Sequence, residues 1–225
     1  MLFEDWPYDK IVRLQNQARV LISGEPLVLR KIAMPAVRHE IFLDIEADPT
    51  RDVEYLIGML MRDTTTGKTT YDHVIAEKPE EEGDAWRKFL DRLATWEDFA
   101  IYHYAAYERA VFDKLMLRHG APEALAQKFH ANAVDLHQKT VDAVVLPLYF
   151  YTLKDVAKFI GFQWRDPEAG GAESVAWYDA WLTTGDRASL DRTIRYNEDD
   201  VRATLVLRDW LATLKPTRRR ERLEA

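Results

Sequence analysis

The chain has 225 residues, of which 47% are hydrophobic and 31% are charged, which is typical of a folded globular protein and suits one domain with additional elements. The absence of cysteine excludes disulfides, thiolate catalysis, iron–sulfur clusters and cysteine-ligated zinc. The net charge of −7 argues against nonspecific coating of nucleic acid, which depends on many Lys and Arg side chains, but not against an enzyme whose metal-binding carboxylates lower the net charge.

The N-terminal part of the chain is predicted to be helical. Its first six residues, MLFEDW, carry acids where a signal peptide carries bases, and no apolar run approaches the roughly 18 residues of a membrane span. We therefore expect a cytoplasmic protein with no membrane partner. Apolar residues near a 3.6-residue spacing predict a helix over residues 8–22, which ends at Gly24. We assign residues 1–37 to an N-terminal helical extension.

The middle of the chain predicts a sheet. Apolar runs over residues 41–47 and 55–61, and a third strand over residues 69–75 that follows a turn, are joined by short connections and predict an antiparallel meander. A helix over 80–95, a fourth strand over 99–104 and a helix over 105–118 follow. This strand–helix–strand order predicts that the fourth strand joins the sheet in parallel fashion.

From Pro122 onward the pattern is mostly helical, and the clearest helices cover residues 153–160, 173–182 and 190–214. The order of elements predicts an α/β fold of ribonuclease-H-like type. We expect a mixed five-stranded sheet, with three antiparallel strands first and parallel strands after them, flanked by helices. This domain is assigned to residues 38–214, and residues 215–225 form a basic tail that contains Arg218, Arg219 and Arg220.

Two acidic residues interrupt the first predicted strand. Asp44 and Glu46 are two residues apart, so their side chains share one face of the strand. Burying two like charges costs several kcal/mol unless one carboxyl is protonated or a cation lies between them. Taken alone, the pair is more simply explained by a strand end that emerges into solvent.

Further acidic residues lie at predicted helix positions. Glu108 lies in the first turn of the helix after the fourth strand, where the helix dipole alone favours an acid. Tyr196 and Asp200 are four residues apart in the last long helix and share a face that borders its apolar stripe, whereas we expect Glu198 to face water. Each feature taken alone is also compatible with a solvated helix turn.

The three segments together are more specific than any one of them. Carboxylates from a strand, a helix start and a later helix suit two Mg²⁺ or Mn²⁺ ions, with Asp44, Glu46, Glu108 and Asp200 as ligands. Two such ions about 3.5–4 Å apart activate a water and stabilise the leaving oxygen of a phosphodiester. Tyr196 would orient that water, or act as a base if its pKa were lowered.

These motifs resemble those of the DEDD exonuclease superfamily, in its tyrosine-containing branch. The first motif, Asp-x-Glu, is matched by Asp44 and Glu46, and the third, Tyr-x-x-x-Asp, by Tyr196 and Asp200. The second usually reads His-Asn-x-x-Phe-Asp, and residues 103–108 read HYAAYE, so Glu108 takes the place of an Asp. The resemblance covers residues 40–212 and implies a 3′-to-5′ exonuclease that acts on 3′ ends of single-stranded DNA or RNA. The longer Glu108 side chain can still ligate a metal, directly or through water, or it weakens the second metal site.

The chain is also similar to a predicted ribonuclease-H-like domain found joined to RecB-type nuclease and helicase modules. Those domains carry a D-I-E start, an H-Y-x-x-Y-E motif and a Y-N-x-x-D-V-x-A-T motif, and residues 196–204 of this chain read YNEDDVRAT. No helicase or RecB-type motif is present in the sequence. A separately encoded helicase or RecB-type nuclease is the protein partner that this resemblance suggests.

Four residues are candidates for substrate contact: His103 and Tyr104 at a terminal nucleotide, and Arg51 and Lys154 at phosphates. Ordinary alternatives are a hydrogen-bonded histidine at a strand end and solvated surface charges. The stretch over residues 164–171 is loop-like and could border a substrate groove. Several other residues have a structural role as the favoured explanation: Asp48 and Asp135 in turns or caps, and Tyr107, Trp177 and Trp181 in the core.

Two functions of other kinds stay open at this point. One is a catalytically weak ribonuclease-H-like module that binds nucleic acid or acts as a scaffold, which Glu108 and the acidic net charge favour. The other is an endonucleolytic ribonuclease H, which would cleave a substrate without free ends. The sequence is compatible with DNA and with RNA, and with any oligomeric state.

Overall fold

A computed structural model describes residues 8–217 of the chain. Its elements are α1 (Tyr8–Ser23), β1 (Leu27–Val28), β2 (His39–Asp48), β3 (Val53–Asp63), β4 (Thr69–Ile75), α2 (Glu82–Thr95), β5 (Phe99–His103), α3 (Tyr107–His119), α4 (Glu123–Asn132), β6 (Ala133–Asp135), α5 (Leu136–Ala143), β7 (Val144–Val145), α6 (Leu153–Phe159), α7 (Gly171–Thr184) and α8 (Arg187–Thr213). None of these helices is both long enough and apolar enough to cross a membrane.

The central sheet has five strands in the spatial order β4-β3-β2-β5-β6. Strands β2, β3 and β4 form an antiparallel meander, β5 is parallel to β2, and β6 is parallel to β5. The predicted mixed α/β sheet is therefore confirmed. The fifth strand, β6, lies in a region whose sequence pattern is mostly helical. Its three residues are too few to show strand alternation, so the sequence does not locate it.

Strand β2 is covered by helices on both faces, which explains its nearly continuous apolar sequence. Residues Ile41, Leu43 and Ile45 pack with aromatic residues of α2 and α3 in one core cluster. Phe42 lies on the opposite face and packs with Val201 of α8. Because side chains alternate along a strand, Asp44 and Glu46 share the face of Phe42 and lie under α8.

The N-terminal segment packs against the polypeptide that follows α5. The Gln17 amide in α1 donates hydrogen bonds to the carbonyl oxygens of Leu146 and Leu148, at 3.0 and 3.1 Å. Strand β1 pairs with β7 in a separate two-stranded antiparallel sheet, with Leu27 opposite Val145. The predicted basic residues Arg218, Arg219 and Arg220 lie outside the described residues.

Candidate metal and active site

Three carboxylates converge where α8 crosses the end of β2. Asp44, Glu46 and Asp200 each offer an oxygen atom, and these atoms lie within 4.8 Å of one another. Glu46 and Asp200 are buried and Asp44 is partly buried. Phe42 and Val201 belong to one hydrophobic core cluster, which sets α8 against this face and places Asp200 opposite the two acids of the strand.

Burial is the main cause that raises the pKa of all three carboxyl groups, and repulsion between them adds to it for Asp44 and Glu46. The pKa of Glu46 rises to about 8 and that of Asp200 to about 6. The pKa of Asp44 also lies well above its usual range, with the charge of Asp200 as the second cause. Clustered, desolvated carboxylates of this kind are stabilised by a cation bound among them.

Three polar side chains interact with the Asp200 carboxylate. The Trp164 indole nitrogen donates a hydrogen bond of 2.6 Å to Asp200 Oδ1. The Tyr196 hydroxyl and the Lys154 ammonium also interact with Asp200 and lower the pKa of its carboxyl. Lys154 Nζ lies 5.3 Å from the centre of the Tyr196 ring. The structure thus brings the predicted residues Tyr196 and Lys154 to the carboxylate cluster.

Asp44 is held by Asn197, a residue to which sequence reasoning gave no role. The Asn197 amide nitrogen donates to Asp44 Oδ2 at 2.7 Å, and its oxygen accepts from the Tyr71 hydroxyl at 2.9 Å. Asn197 is fully buried and also lowers the pKa of Glu46. Asn197 lies three residues before Asp200, so both side chains lie on one helix face. This spacing is the sequence feature that indicates a role for Asn197 at the site.

Glu46 has a partner from α7 that the sequence did not reveal. Ser174 interacts with Glu46 and lowers the pKa of its carboxyl. The Ser174 hydroxyl lies 2.7 Å from the Tyr55 hydroxyl, and both residues are fully buried. Each ligand candidate of the cluster is therefore oriented by at least one buried polar neighbour.

Glu108 lies at the border of this cluster. Its carboxylate is buried and contributes to the repulsion that raises the pKa of Asp44. Among residues 8–217, Glu108 Oε2 has no hydrogen-bond partner, and His103 Nδ1 lies 3.6 Å from it. A buried carboxylate oxygen without a partner is costly, so this atom is available to an additional ligand.

A comparison with protein families matches residues 41–212 to the family described as the RNase_H superfamily, which covers more than half of the chain. The chain belongs to the RNase_H superfamily. None of the curated proteins compared with the chain matches it. Membership supports a nuclease or other nucleic-acid-related function, and nucleases of this superfamily use divalent metals. The matched range contains every candidate ligand of the site.

Two of the other predicted contact residues in this RNase_H-superfamily domain support the loop before α3. His103 is fully buried, and its Nδ1 lies 2.7 Å from the Ala105 carbonyl oxygen. Ala105 has a φ of 69°, which is unusual for a residue with a β-carbon, and Asp135 accepts a hydrogen bond from its N–H at 3.1 Å. The Tyr104 hydroxyl donates to the Tyr151 carbonyl oxygen at 2.5 Å. The polar atoms of the His103 and Tyr104 side chains therefore lie within hydrogen-bond distance of backbone carbonyl oxygens, those of Ala105 and Tyr151.

Arg51 and Tyr107 lie at the surface of the RNase_H-superfamily domain. The Arg51 guanidinium is engaged by Asp48 and Asp179, so it is already paired. The expectation that Tyr107 belongs to the core is wrong, because 47% of this residue is exposed. Its pKa rises to about 12 through partial burial and the charges of nearby acids, among them Asp44. Tyr107 therefore stands beside the carboxylates with an accessible ring.

Proposed function

We propose that the protein is a metal-dependent 3′-to-5′ exonuclease of the tyrosine-containing DEDD type, acting on single-stranded nucleic acid. The observation that carries this proposal is the convergence of Asp44, Glu46 and Asp200 on one point, next to the hydroxyl of Tyr196. These residues lie far apart in the sequence, and a purely structural domain has no physical need to bury their charges together.

The residues present fit a site for divalent cations. Asp44, Glu46 and Asp200, with Glu108 at the border, would hold two Mg²⁺ or Mn²⁺ ions, since these ions prefer carboxylate oxygens. The raised carboxyl pKa values and the unpartnered Glu108 Oε2 support the same assignment. Bound ions of this kind supply a water of lowered pKa and charge stabilisation at the leaving oxygen.

The protein side chains provide orientation. Asn197 fixes the Asp44 carboxylate and Trp164 fixes that of Asp200, so two ligands are held before substrate arrives. Burial and the neighbouring carboxylates raise the pKa of the Tyr196 hydroxyl, which keeps it protonated. Tyr196 therefore orients the attacking water by a hydrogen bond, and of its two predicted roles we favour this one over that of a base.

Lys154 is positioned to meet the negative charge of a phosphodiester. Its ammonium lies over the rings of Tyr196 and Trp164, at 5.3 and 5.8 Å from their centres. It is thus close to Asp200 without forming a direct ion pair among the described residues. A separately encoded helicase or RecB-type nuclease that exposes a 3′ end remains the partner we propose from the sequence resemblance.

The test is hydrolysis of single-stranded DNA and RNA oligonucleotides labelled at the 5′ end, with Mn²⁺ or Mg²⁺. We expect a ladder of products shortened from the 3′ end, which disappears with EDTA and in Asp44→Asn. Asp91→Asn is the matched control, because Asp91 is an exposed acid on α2, and this variant should retain wild-type activity. A ladder that survives Asp44→Asn contradicts the proposed site.

The same assay separates the alternative functions. An end-blocked RNA–DNA hybrid is resistant to an exonuclease, so its cleavage would indicate a ribonuclease H endonuclease instead. Binding of oligonucleotides without any metal-dependent cleavage would indicate a scaffold or binding module. Either result would overturn the exonuclease proposal.

A further inference from the structure

A cavity of about 270 Å³ opens beside the proposed active site. The Tyr196 side chain forms part of its wall, so the cavity adjoins the residue that we assign to orient the attacking water. We call it the arginine cavity, because Arg165, Arg192 and Arg195 line it together with Asp166, Trp177 and Asp199. Nothing in the proposed chemistry uses its three arginines.

Two of the three arginines have acidic partners. The Arg165 guanidinium pairs with Glu198 at 2.9 Å and with Asp199 at 2.8 Å. Arg192 pairs with Asp166 at 3.1 Å, and its guanidinium lies 4.5 Å from the centre of the Trp177 ring. The Arg192 side chain is 48% exposed although it contacts both Asp166 and Trp177. Because an exposed ion pair is weak, the guanidinium can exchange Asp166 for a phosphate.

Arg195 is the arginine of this cavity that forms no ion pair among the described residues. It is exposed, and among the residues that the structure describes no carboxylate lies within ion-pair distance of its guanidinium. A protein with a net charge of −7 has many acids available to pair with it. The lining carries three arginines and two aspartates. A third acid nearby, Glu198, pairs with Arg165 and Arg202, so it leaves Arg195 without an ion pair.

Trp177 connects the arginine cavity to the active site. Its ring meets the Tyr196 ring edge-on, with centres 6.4 Å apart. Lys154 lies over the same Tyr196 ring at 5.3 Å. Cationic side chains therefore flank Tyr196, with Lys154 next to Asp200 and Arg192 stacked on Trp177. The arginine cavity and the carboxylate cluster therefore share Tyr196, whose side chain lines the cavity and whose hydroxyl contacts Asp200.

We propose that the arginine cavity binds a backbone phosphate of the nucleic-acid strand, next to the phosphodiester that is cleaved, through Arg195 and Arg192. Guanidinium groups recognise phosphate oxygens by paired, charge-assisted hydrogen bonds. The inference rests on the proposed function in taking nucleic acid as the ligand. It adds a substrate-binding subsite whose two arginines, Arg192 and Arg195, have no role in holding the metals or the attacking water.

The test measures binding without cleavage. Fluorescence anisotropy of a labelled 12-nucleotide strand in EDTA compares the wild type with Arg195→Gln and Arg192→Gln. We expect each variant to bind about 5- to 30-fold more weakly and to lower the salt dependence by about one counterion. Arg19→Gln is the matched control, since Arg19 is an exposed arginine on α1, and its affinity should equal that of the wild type.

A second measurement identifies the phosphate. Strands that each carry one neutral methylphosphonate linkage are compared in the wild type and in Arg195→Gln. We expect one position to weaken binding to the wild type and to have no further effect in the variant. Equal affinity of wild type and both cavity variants, equal losses in Arg19→Gln, or additive losses at every linkage would overturn the proposal.

Metal binding separates this proposal from the proposed function. Mn²⁺ affinity without nucleic acid, measured by electron paramagnetic resonance, should be unchanged in Arg195→Gln and strongly reduced in Asp44→Asn. If Asp44→Asn leaves Mn²⁺ binding and cleavage unchanged, the proposed function fails. The anisotropy results still decide whether the arginine cavity binds the strand.

Discussion

The side-chain oxygen of Asn197 occupies the space that a β-carbon on Gly58 would take. Gly58 lies on β3, directly across from Asp44 on β2. The missing side chain therefore lets the Asn197 amide reach over the sheet to Asp44 Oδ2. A glycine in the middle of a strand makes that strand less stable. The close approach of Asn197 is the physical reason for a glycine at position 58.

Gly58→Ala is expected to displace Asn197 and release Asp44. Groups that orient metal ligands commonly contribute 10- to 100-fold to metal affinity, and we expect a loss of about that size for Mn²⁺. Isothermal titration calorimetry measures it, and Asn197→Ala should show the same loss because it removes the same hydrogen bond.

The control for this pair is Gly171→Ala. A β-carbon on Gly171 meets no atom within 4 Å, so this variant should bind Mn²⁺ like the wild type. If Gly58→Ala unfolds the protein, Asn197→Ala alone decides the question. Wild-type affinity in a folded Asn197→Ala variant would show that Asn197 does not position Asp44.

Metal-free protein should lose stability as the pH rises from 5 to 8.5. The pKa of Asp200 is raised to about 6 and that of Glu46 to about 8, so the folded state holds protons that the unfolded chain releases. The stability due to these protons is complete below the ordinary carboxyl pKa of about 4 and is lost as the pH passes through 6 and 8. At about 1.4 kcal/mol per pKa unit, these two shifts predict a loss of about 5 kcal/mol between pH 5 and 8.5.

Thermal unfolding in EDTA across this pH range measures the effect. Glu46→Gln should flatten the decline, because an amide cannot ionise, and it should also abolish the stabilisation that Mn²⁺ gives the wild type at pH 8. Glu25→Gln, at an exposed position, should behave like the wild type in both respects. A wild-type stability that rises from pH 5 to 8.5 would contradict the raised pKa values.

The sheet and the three motifs could be predicted because each depends on local pattern. Side chains alternate between the two faces of β2. This alternation predicts that Asp44 and Glu46 lie on the same face of the strand. The four-residue spacing of Tyr196 and Asp200 gives their shared helix face. Packing of α8 on β2 then brings these pairs together, which the sequence indicates only through the order of motifs.

The supporting groups could not be predicted because they depend on contacts between distant segments. Trp164 lies in a loop and reaches Asp200 across 36 positions of the chain. Ser174 reaches Glu46 from α7, and the role of Gly58 follows only from the position of Asn197. The exposure of Tyr107 also depends on its tertiary surroundings, whereas its ring alone favours the core.

Trp164→Phe should shift the pH dependence of metal binding. The indole N–H donates to Asp200 Oδ1 and lowers the pKa of that carboxyl. Without this donor the pKa rises, and because metals bind the ionised carboxylate, the midpoint of Mn²⁺ binding should move to higher pH. Mn²⁺ titrations between pH 5.5 and 8.5 measure it.

The comparison for this variant is Trp86→Phe, which removes an indole hydrogen bond to the Gly120 carbonyl oxygen elsewhere in the fold. It should lower stability and leave the midpoint in place. A Trp164→Phe midpoint equal to that of the wild type, in a folded protein, would mean that the indole does not tune Asp200.

Glu108→Gln tests whether the fourth carboxylate completes a two-ion site. Its Oε2 is buried without a hydrogen-bond partner among residues 8–217, and it lies outside the group of three acids whose oxygens approach within 4.8 Å. Removing its charge should therefore reduce Mn²⁺ stoichiometry from two to one, and hydrolysis should fall by at least about 100-fold. Counting bound Mn²⁺ by equilibrium dialysis measures the first effect.

Glu108→Asp separates charge from reach. The shorter side chain keeps the negative charge but draws the carboxylate one methylene back towards the backbone of α3. A direct ligand should therefore lose much of its affinity for the second ion. A carboxylate that acts through water should tolerate the change and retain most activity. The role of Glu108 as a ligand fails if Glu108→Gln still binds two Mn²⁺ ions and hydrolyses oligonucleotides at the wild-type rate.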